Sequence, residues 1–284
     1  MKNDKLLDEH GFMGLTHAIS VLAVLTSLMV WLPKFNMFNS VNIWVVTLLL
    51  LVAVGGALLP DLDNTNSSAE SALGVFGNPI STVMRAVAVM VQNLVHTRYD
   101  NRVDEAHRGF WHTTVAAIMV GGLLMLATLT SGRIVAIIVS FITIHVAIST
   151  LIRTIVKKRY NNKQPVKTMV FNLVSSVGIS AITTFGLFTQ IPSNMDYSKI
   201  GLFVGLGWLI HILGDTFTIQ GTPLFWPIPI GGKCWWQLRL TTIEAGGIVE
   251  NAIILPLFLI LTILNLVELS HFLPFSIYGF LGSH

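Results

Sequence analysis

Gly56-Ala57-Leu58-Leu59-Pro60-Asp61-Leu62-Asp63 is the stretch that decides the fold, because an apolar run of membrane-spanning length meets two carboxylates there. A proline cannot continue a helix interior, and it pushes the residue before it out of the helical region. The sequence therefore predicts that a spanning helix ends at Pro60 and that Asp61 and Asp63 emerge on a turn at the edge of the hydrocarbon. Because Asp also caps helices and forms turns without any ligand, the companions of these two residues decide their meaning.

The composition of the whole chain agrees with that local pattern. Hydrophobic residues make up 53% of the 284 residues and charged residues only 11%, whereas a soluble domain has about 25% charged residues. Several apolar runs approach or exceed the roughly 20 residues that a helix needs to cross a bilayer. The single cysteine, Cys234, excludes an intramolecular disulfide and a cysteine-rich metal site. We predict an all-α, polytopic membrane helical bundle.

The apolar runs predict about seven transmembrane helices within one integral membrane domain, residues 1–284. We place them at residues 13–32, 42–59, 109–130, 134–152, 168–190, 200–216 and 243–267. The polar N-terminus lacks a small-residue cleavage site, so the first run is a retained span and not a signal peptide. Residues 73–95 are apolar but interrupted by Gly77-Asn78-Pro79 and Arg85, which indicates an interfacial or re-entrant helical segment between spans two and three.

The basic residues sort by side of the membrane. With seven spans, all but three of the 17 Lys and Arg residues fall on the side that holds the N-terminus, and the exceptions are Lys34, Arg133 and Lys199. The positive-inside rule places that rich side in the cytoplasm. We therefore expect a multi-pass membrane protein with a cytoplasmic N-terminus and a C-terminus on the external side.

Histidines and carboxylates fall on the same side. They lie at the start of span one, the end of span two, the start of span three and the end of span six, and they comprise His17, Asp61, Asp63, His107, His112, His211 and Asp215. The pair His211 and Asp215 has the i, i+4 spacing that puts two side chains on one helix face. Since ionisable groups inside a membrane are costly and usually functional, this set predicts a site for one or two divalent cations.

Two further charged residues have open roles. Arg108 adjoins two of these histidines and suits either a phosphate or oxyanion contact or a positive-inside anchor. Glu250 lies in span seven and suits either a general base or ligand, or an ion-pair partner inside the bundle. His145 in span four has the same ambiguity as Glu250.

Four sequence blocks, taken together, resemble a known family. They are the Thr-His pair at 16–17, Gly-x-Leu-x-Pro-Asp-Leu-Asp at 56–63, His-Arg-Gly-Phe-Trp-His-Thr at 107–113, and His-x-x-x-Asp at 211–215 followed by Gly221 and Leu-Phe-Trp-Pro at 224–227. In this order they are similar to the YdjM/YbcI-like membrane-bound metal-dependent hydrolases. The resemblance implies an inner-membrane hydrolase, and it implies that the metal ligands are His17, Asp61, Asp63, His107, His112, His211 and Asp215. The third block departs from the family's usual His-Arg-Gly-x-Thr-His-Ser at Trp111 and Thr113.

Our first functional expectation is a metal-dependent hydrolase with its site at the cytoplasmic face, acting on a lipid or lipid-linked phosphoester. The cation, most simply Zn²⁺, makes hydroxide available at neutral pH, and we expect Asp61, Asp63 or Glu250 to take the proton and Arg108 to neutralise developing charge. The alternatives are a lipid or ion transporter or flippase that uses the same residues, and a structural or regulatory protein stapled by a metal.

Several enzyme classes and partners are excluded by motif. The chain has no His-Glu-x-x-His, no Gly-x-Ser-x-Gly and no Walker-type phosphate loop. No nucleic-acid-binding module is present, so the expected partners are membrane lipids and a lipid-like substrate.

Overall fold

The computed structural model describes residues 14–31, 42–65, 67–100, 108–159 and 165–272 of the chain. Its α-helices are α1 (Gly14–Trp31), α2 (Ile43–Leu58), α3 (Ser68–Ala72), α4 (Gly77–Leu94), α5 (Thr114–Arg159), α6 (Pro165–Gln190), α7 (Ser198–Asp215) and α8 (Leu255–Phe272). Within those ranges the only β-type pairings are isolated bridges between residues 218 and 243. The predicted all-α class is therefore confirmed.

Among the described residues, seven helices are long and apolar enough to cross a membrane, which confirms the predicted polytopic bundle. One of them, the 42-residue stretch Thr114–Ile155 of α5, is about twice the length that a single crossing needs. Gly132 breaks it with a φ of 63°, a left-handed value that favours glycine. Ala117 and Val146 then belong to one buried cluster, although a continuous helix would separate them by about 43 Å. The stretch is therefore a helical hairpin, with its turn beside Arg133 as predicted.

Several predicted boundaries, including the end of span four and the start of span seven, are wrong by five to seven residues. The span ending at residue 152 continues to Arg159, and Arg153 at this extension donates to the backbone carbonyl of Ser71. The last span begins near residue 248 instead of 243, because Ile243 forms a bridge with Thr218 and Gly246 has a left-handed φ of 68°. A π-helical turn, Glu250–Ile254, leads into α8.

Helix α4 covers the predicted interfacial segment. Its buried residues Gly77, Ser81, Met84 and Ala88 recur every three or four positions and so mark one face. Only 17% of the Gly74–Leu94 stretch is buried, although its length and composition would also allow it to cross a membrane. An interfacial position for α4 stays a prediction.

Helix α2 is the centre of the bundle and α8 its periphery. Of the two stretches, 72% of Ile43–Asp63 is buried in the protein and only 11% of Glu250–Leu269. Glycines let the central helices approach closely, since a Cβ on Gly55 would overlap the Thr143 carbonyl and a Cβ on Gly207 would overlap that of Ala53. Close backbone contact of this kind is how helices associate in lipid, where no hydrophobic effect drives them together.

Candidate metal centre

The turn after α2 has the predicted form. Helix α2 ends at Leu58, and Pro60 opens the 3₁₀ turn Pro60–Asp63 that carries both carboxylates. Asp63 is fully buried, whereas 21% of the Asp61 side chain is exposed. Asp61 is therefore the carboxylate that water can reach.

Three other helix ends meet this turn. His17 lies in the first turn of α1, and His112 closes the 3₁₀ turn Phe110–His112 just before α5. His211 and Asp215 lie one turn apart at the end of α7. Starts of helices and ends of helices thus bring imidazoles and carboxylates to one end of the bundle.

Three donor atoms form a nearly equilateral triangle. His112 Nε2 lies 3.3 Å from His211 Nε2 and 3.5 Å from Asp215 Oδ2, and the last two atoms lie 3.4 Å apart. Ligands about 2.0–2.2 Å from a tetrahedral zinc ion have edges of about 3.3–3.6 Å between them. The donor set and its spacing therefore fit three ligands of a tetrahedral cation.

Asp61 and His17 extend the cluster. Asp61 Oδ1 lies 3.5 Å from His211 Nε2 and 3.8 Å from His112 Nε2. His17 Nε2 lies 3.4 Å from Asp215 Oδ1, and its ring stacks on His211 with centroids 3.8 Å apart. The described donors converge in two overlapping groups, and both contain His211. The chemistry of the cluster accommodates one cation with supporting residues, or two.

Asp63 faces the far nitrogen of His112. Its Oδ2 lies 3.5 Å from His112 Nδ1, while Nε2 of the same ring belongs to the triangle. A carboxylate behind a metal-binding histidine fixes the orientation and tautomer of the ring. This position suits an orienting role for Asp63, and the sequence-based assignment of Asp63 as a direct ligand or base stays a prediction.

Arg108 holds the cluster to the rest of the protein. Its Nη2 donates to Asp215 Oδ1 at 3.0 Å, and its Nη1 donates to Thr218 Oγ1 at 2.7 Å and to the Gly221 carbonyl at 3.4 Å. It is buried, and its φ of 59° is rare for a residue other than glycine. The guanidinium therefore positions one oxygen of Asp215 and leaves the other in the triangle.

Two predicted site residues are not among the described residues of the cluster. His107 falls outside the described residues. Glu250 is fully buried, and its Oε2 accepts a hydrogen bond from the Gly246 backbone at 2.6 Å, at the start of the π-helical turn. It belongs to neither group of convergent donors. A catalytic role for Glu250 stays a prediction.

Sequence reasoning missed the residues that support the cluster from behind. Trp208 Nε1 donates to the Trp111 carbonyl at 2.7 Å, and Trp111 Nε1 donates to the Met84 carbonyl at 2.7 Å, so two indoles hold the turn before His112. Thr218, whose hydroxyl accepts a hydrogen bond from Arg108, lies three residues after Asp215 and donates to the Asp215 carbonyl. A Thr three residues after an Asp at the end of a helix was the one feature of the sequence that could have indicated this contact.

Asp100 anchors the long segment between α7 and α8, which we term the 216–249 loop. Its carboxylate accepts hydrogen bonds from the backbone N–H groups of Thr97, Cys234 and Trp235. Burial alone would raise the pKa of the Asp100 carboxyl, but these hydrogen bonds lower it below its ordinary value. The loop that supplies Thr218 and Gly221 to Arg108 is thus fastened at a second point.

Comparison with family models gives a match over residues 12–281, to the family described as YdjM inner membrane protein. Searches of the curated proteins and of the solved structures found no match. The family match agrees with the predicted resemblance and with a multi-pass membrane protein.

Proposed function

The chain belongs to the YdjM inner membrane protein family, and from that premise we propose that it is a membrane-embedded, metal-dependent hydrolase. Its substrate is a lipid or a lipid-linked phosphoester, and its site lies at the cytoplasmic leaflet. The orientation rests on the distribution of Lys and Arg, and the substrate class rests on a site at the ends of apolar helices.

The observation that carries the proposal is the triangle of His112 Nε2, His211 Nε2 and Asp215 Oδ2, with edges of 3.3–3.5 Å. Buried imidazole and carboxylate donors that face one another at this spacing are what a Zn²⁺-type cation requires. When bound, such a cation lowers the pKa of a coordinated water towards about 7 and polarises the attacked group.

The surrounding side chains have distinct duties in this reaction. Asp61, the exposed carboxylate beside the triangle, accepts the proton as general base. Asp63 orients the His112 ring, and Arg108 fixes Asp215 through a charge-assisted hydrogen bond. These duties separate the residues that hold the cation from the residue that acts on water.

The test combines metal content with turnover on one set of purified variants. We expect wild type to contain tightly bound divalent metal and to hydrolyse at least one member of a panel of phospholipids and polyprenyl phosphoesters. Asp61→Asn should keep the metal and lose most of the turnover, whereas His211→Ala should lose both. The control is His96→Ala, which removes an exposed histidine that contacts only the Asn93 carbonyl in the described structure. Wild type without bound metal would contradict the proposal.

A metal-stapled structural protein is the second candidate, and the burial of the cluster favours it. The side chains of His17, His112 and His211 are all 0–1% exposed, as in closed structural sites. In that case metal would be retained, chelation would lower the melting temperature, and no member of the panel would be hydrolysed. A transporter is less favoured, because transport sites lie near the bilayer midplane and this cluster lies at helix ends.

A further inference from the structure

The 216–249 loop carries exposed apolar side chains on both sides of the residue that contacts Arg108. Phe217 and Ile219 are 43% and 44% exposed, while Thr218 between them is fully buried against Arg108. Leu240, 54% exposed, joins them because its backbone N–H donates to the Thr216 carbonyl at 2.7 Å. We call Phe217, Ile219 and Leu240 the outer patch.

The outer patch cannot lie far from the hydrocarbon. Helix α7 ends at Asp215, only two residues before Phe217. The backbone N–H groups of Phe217 and Thr218 donate to the carbonyls of Gly214 and Asp215, so the chain turns at the helix end instead of extending away from it. The headgroup region on each side of a bilayer is about 5–8 Å deep, so the patch falls within it if α7 crosses the hydrocarbon up to its C-terminal end.

A cation lies at the edge of this apolar surface. Arg239 is exposed, precedes Leu240 in the chain, and donates its Nε–H to the Gln220 carbonyl at 3.0 Å, next to Ile219. A guanidinium has four further N–H groups in a fork that suits a phosphate. Exposed apolar side chains beside a basic residue are typical of segments that lie in an anionic membrane interface.

We propose that the outer patch and Arg239 bind an anionic phospholipid of the leaflet next to the metal centre. The side chains of Phe217, Ile219 and Leu240 contact the upper acyl chains, and the Arg239 guanidinium binds the lipid phosphate. Because Thr218 lies between two patch residues and holds Arg108, the bound lipid also secures the segment that positions Asp215. The proposal does not depend on whether the centre is hydrolytic.

The first test measures the depth of the patch. An environment-sensitive fluorophore is attached at Phe217→Cys in a Cys234→Ser background, and the protein is reconstituted into phosphatidylcholine–phosphatidylglycerol vesicles. The matched control carries the label at Asn194→Cys, an exposed polar position in the α6–α7 turn. We expect blue-shifted emission and quenching by lipids with a nitroxide on the upper acyl chain at 217, and clearly weaker effects of both kinds at 194. Identical behaviour at both positions would overturn the proposal. Quenching of one label by the label on another protein copy, without quenching by the lipids, would also overturn it.

The second test measures lipid selectivity. The variant Arg239→Gln is compared with Arg98→Gln, which removes another exposed arginine, one that stacks on Tyr99. We expect Arg239→Gln to reduce retention of phosphatidylglycerol over phosphatidylcholine about fivefold, the effect of one basic residue at an anionic surface. Arg98→Gln should leave the ratio unchanged. An equal effect of the two substitutions would assign the preference to general surface charge and overturn the proposal.

Discussion

Two buried histidines of this protein lie in spanning helices and yet have opposite surroundings. His145 Nε2 lies 2.9 Å from the Ala72 backbone carbonyl, and its ring stacks on Phe141 with an interplanar angle of 11°. His211 Nε2 instead lies within 3.3–3.5 Å of another imidazole nitrogen and of two carboxylate oxygens. The first ring meets a neutral acceptor, and the second meets several groups that compete for one position.

The difference suggests how to tell a structural histidine from a candidate ligand. A neutral imidazole has one N–H donor, which a single backbone carbonyl satisfies. Two facing Nε2 atoms can share only one proton between them, whereas one cation can accept a lone pair from each ring and from a carboxylate. Burial alone does not separate the two cases, since His145 is 6% exposed and His211 is fully buried.

The largest expected effect is a loss of metal affinity, and removing each of the two histidines in turn tests the comparison directly. We expect His211→Ala to weaken metal binding by more than about 100-fold, beyond the loss that supporting residues cause, because it removes a vertex of the triangle. His145→Ala should bind metal as wild type does. Both are measured by competition with a fluorescent chelator, and equal affinities of the two variants would refute the distinction.

A smaller loss of metal affinity is expected from substitution of Asp63, which contacts the ring of His112 on the side away from the triangle. Asp63→Asn keeps the size of the side chain but removes the charge that faces His112 Nδ1 at 3.5 Å. We expect metal affinity to fall about 10- to 100-fold, as for other residues that orient a metal-binding histidine. The same competition assay checks it, and a loss as large as that of His211→Ala would make Asp63 a direct ligand.

The histidine outside the cluster should affect stability and leave metal binding unchanged. His145→Leu leaves the Ala72 carbonyl without its imidazole partner, which should lower the free energy of unfolding by about 1–3 kcal/mol. Denaturation in detergent measures the change, and His145→Gln is the control because its amide can donate to the same carbonyl. A loss of bound metal in His145→Leu would place His145 among the ligands.

The smallest expected effect is on the melting temperature, on substitution of Asp100. Like His145, Asp100 has backbone hydrogen-bond partners, but they are N–H groups instead of a carbonyl. Its pKa is lowered below 3.8, so its ionised form stabilises the folded state above that pH, and the contribution disappears as pH falls through the lower folded value. Asp100→Asn should therefore melt below wild type at pH 7, with a difference that shrinks under acid. A constant difference at every pH would show that charge is not involved.

Local chemistry was enough to predict the parts of the fold that depend on neighbouring residues. Pro60 ends α2 and puts Asp61 and Asp63 on a turn, and hydropathy located the spanning helices. The convergence of His17, His112 and His211 was inferred from matching positions at helix ends, since topology forces those ends to one side.

Contacts between distant segments could not be predicted in the same way. The partners of Arg108, namely Asp215, Thr218 and Gly221, are more than 100 residues away in the chain, and no periodicity encodes them. The same is true of the hydrogen bonds that Asp100 accepts from the backbone N–H groups of Cys234 and Trp235. The hydrogen bond that Glu250 accepts from the nearby Gly246 backbone was not predicted either. A catalytic role for Glu250 stays a prediction.

The glycine contacts between the central helices bear on which ion the proposed metal centre would accept. Helices α2, α5 and α7 touch backbone to backbone at Gly55 and Gly207, so they have little freedom to slide apart. Donor atoms carried by helices that pack this closely keep one spacing whether or not an ion is bound. Calcium takes 6–8 oxygens at about 2.3–2.6 Å, and such a frame would discriminate against it by size while admitting smaller, nitrogen-seeking ions.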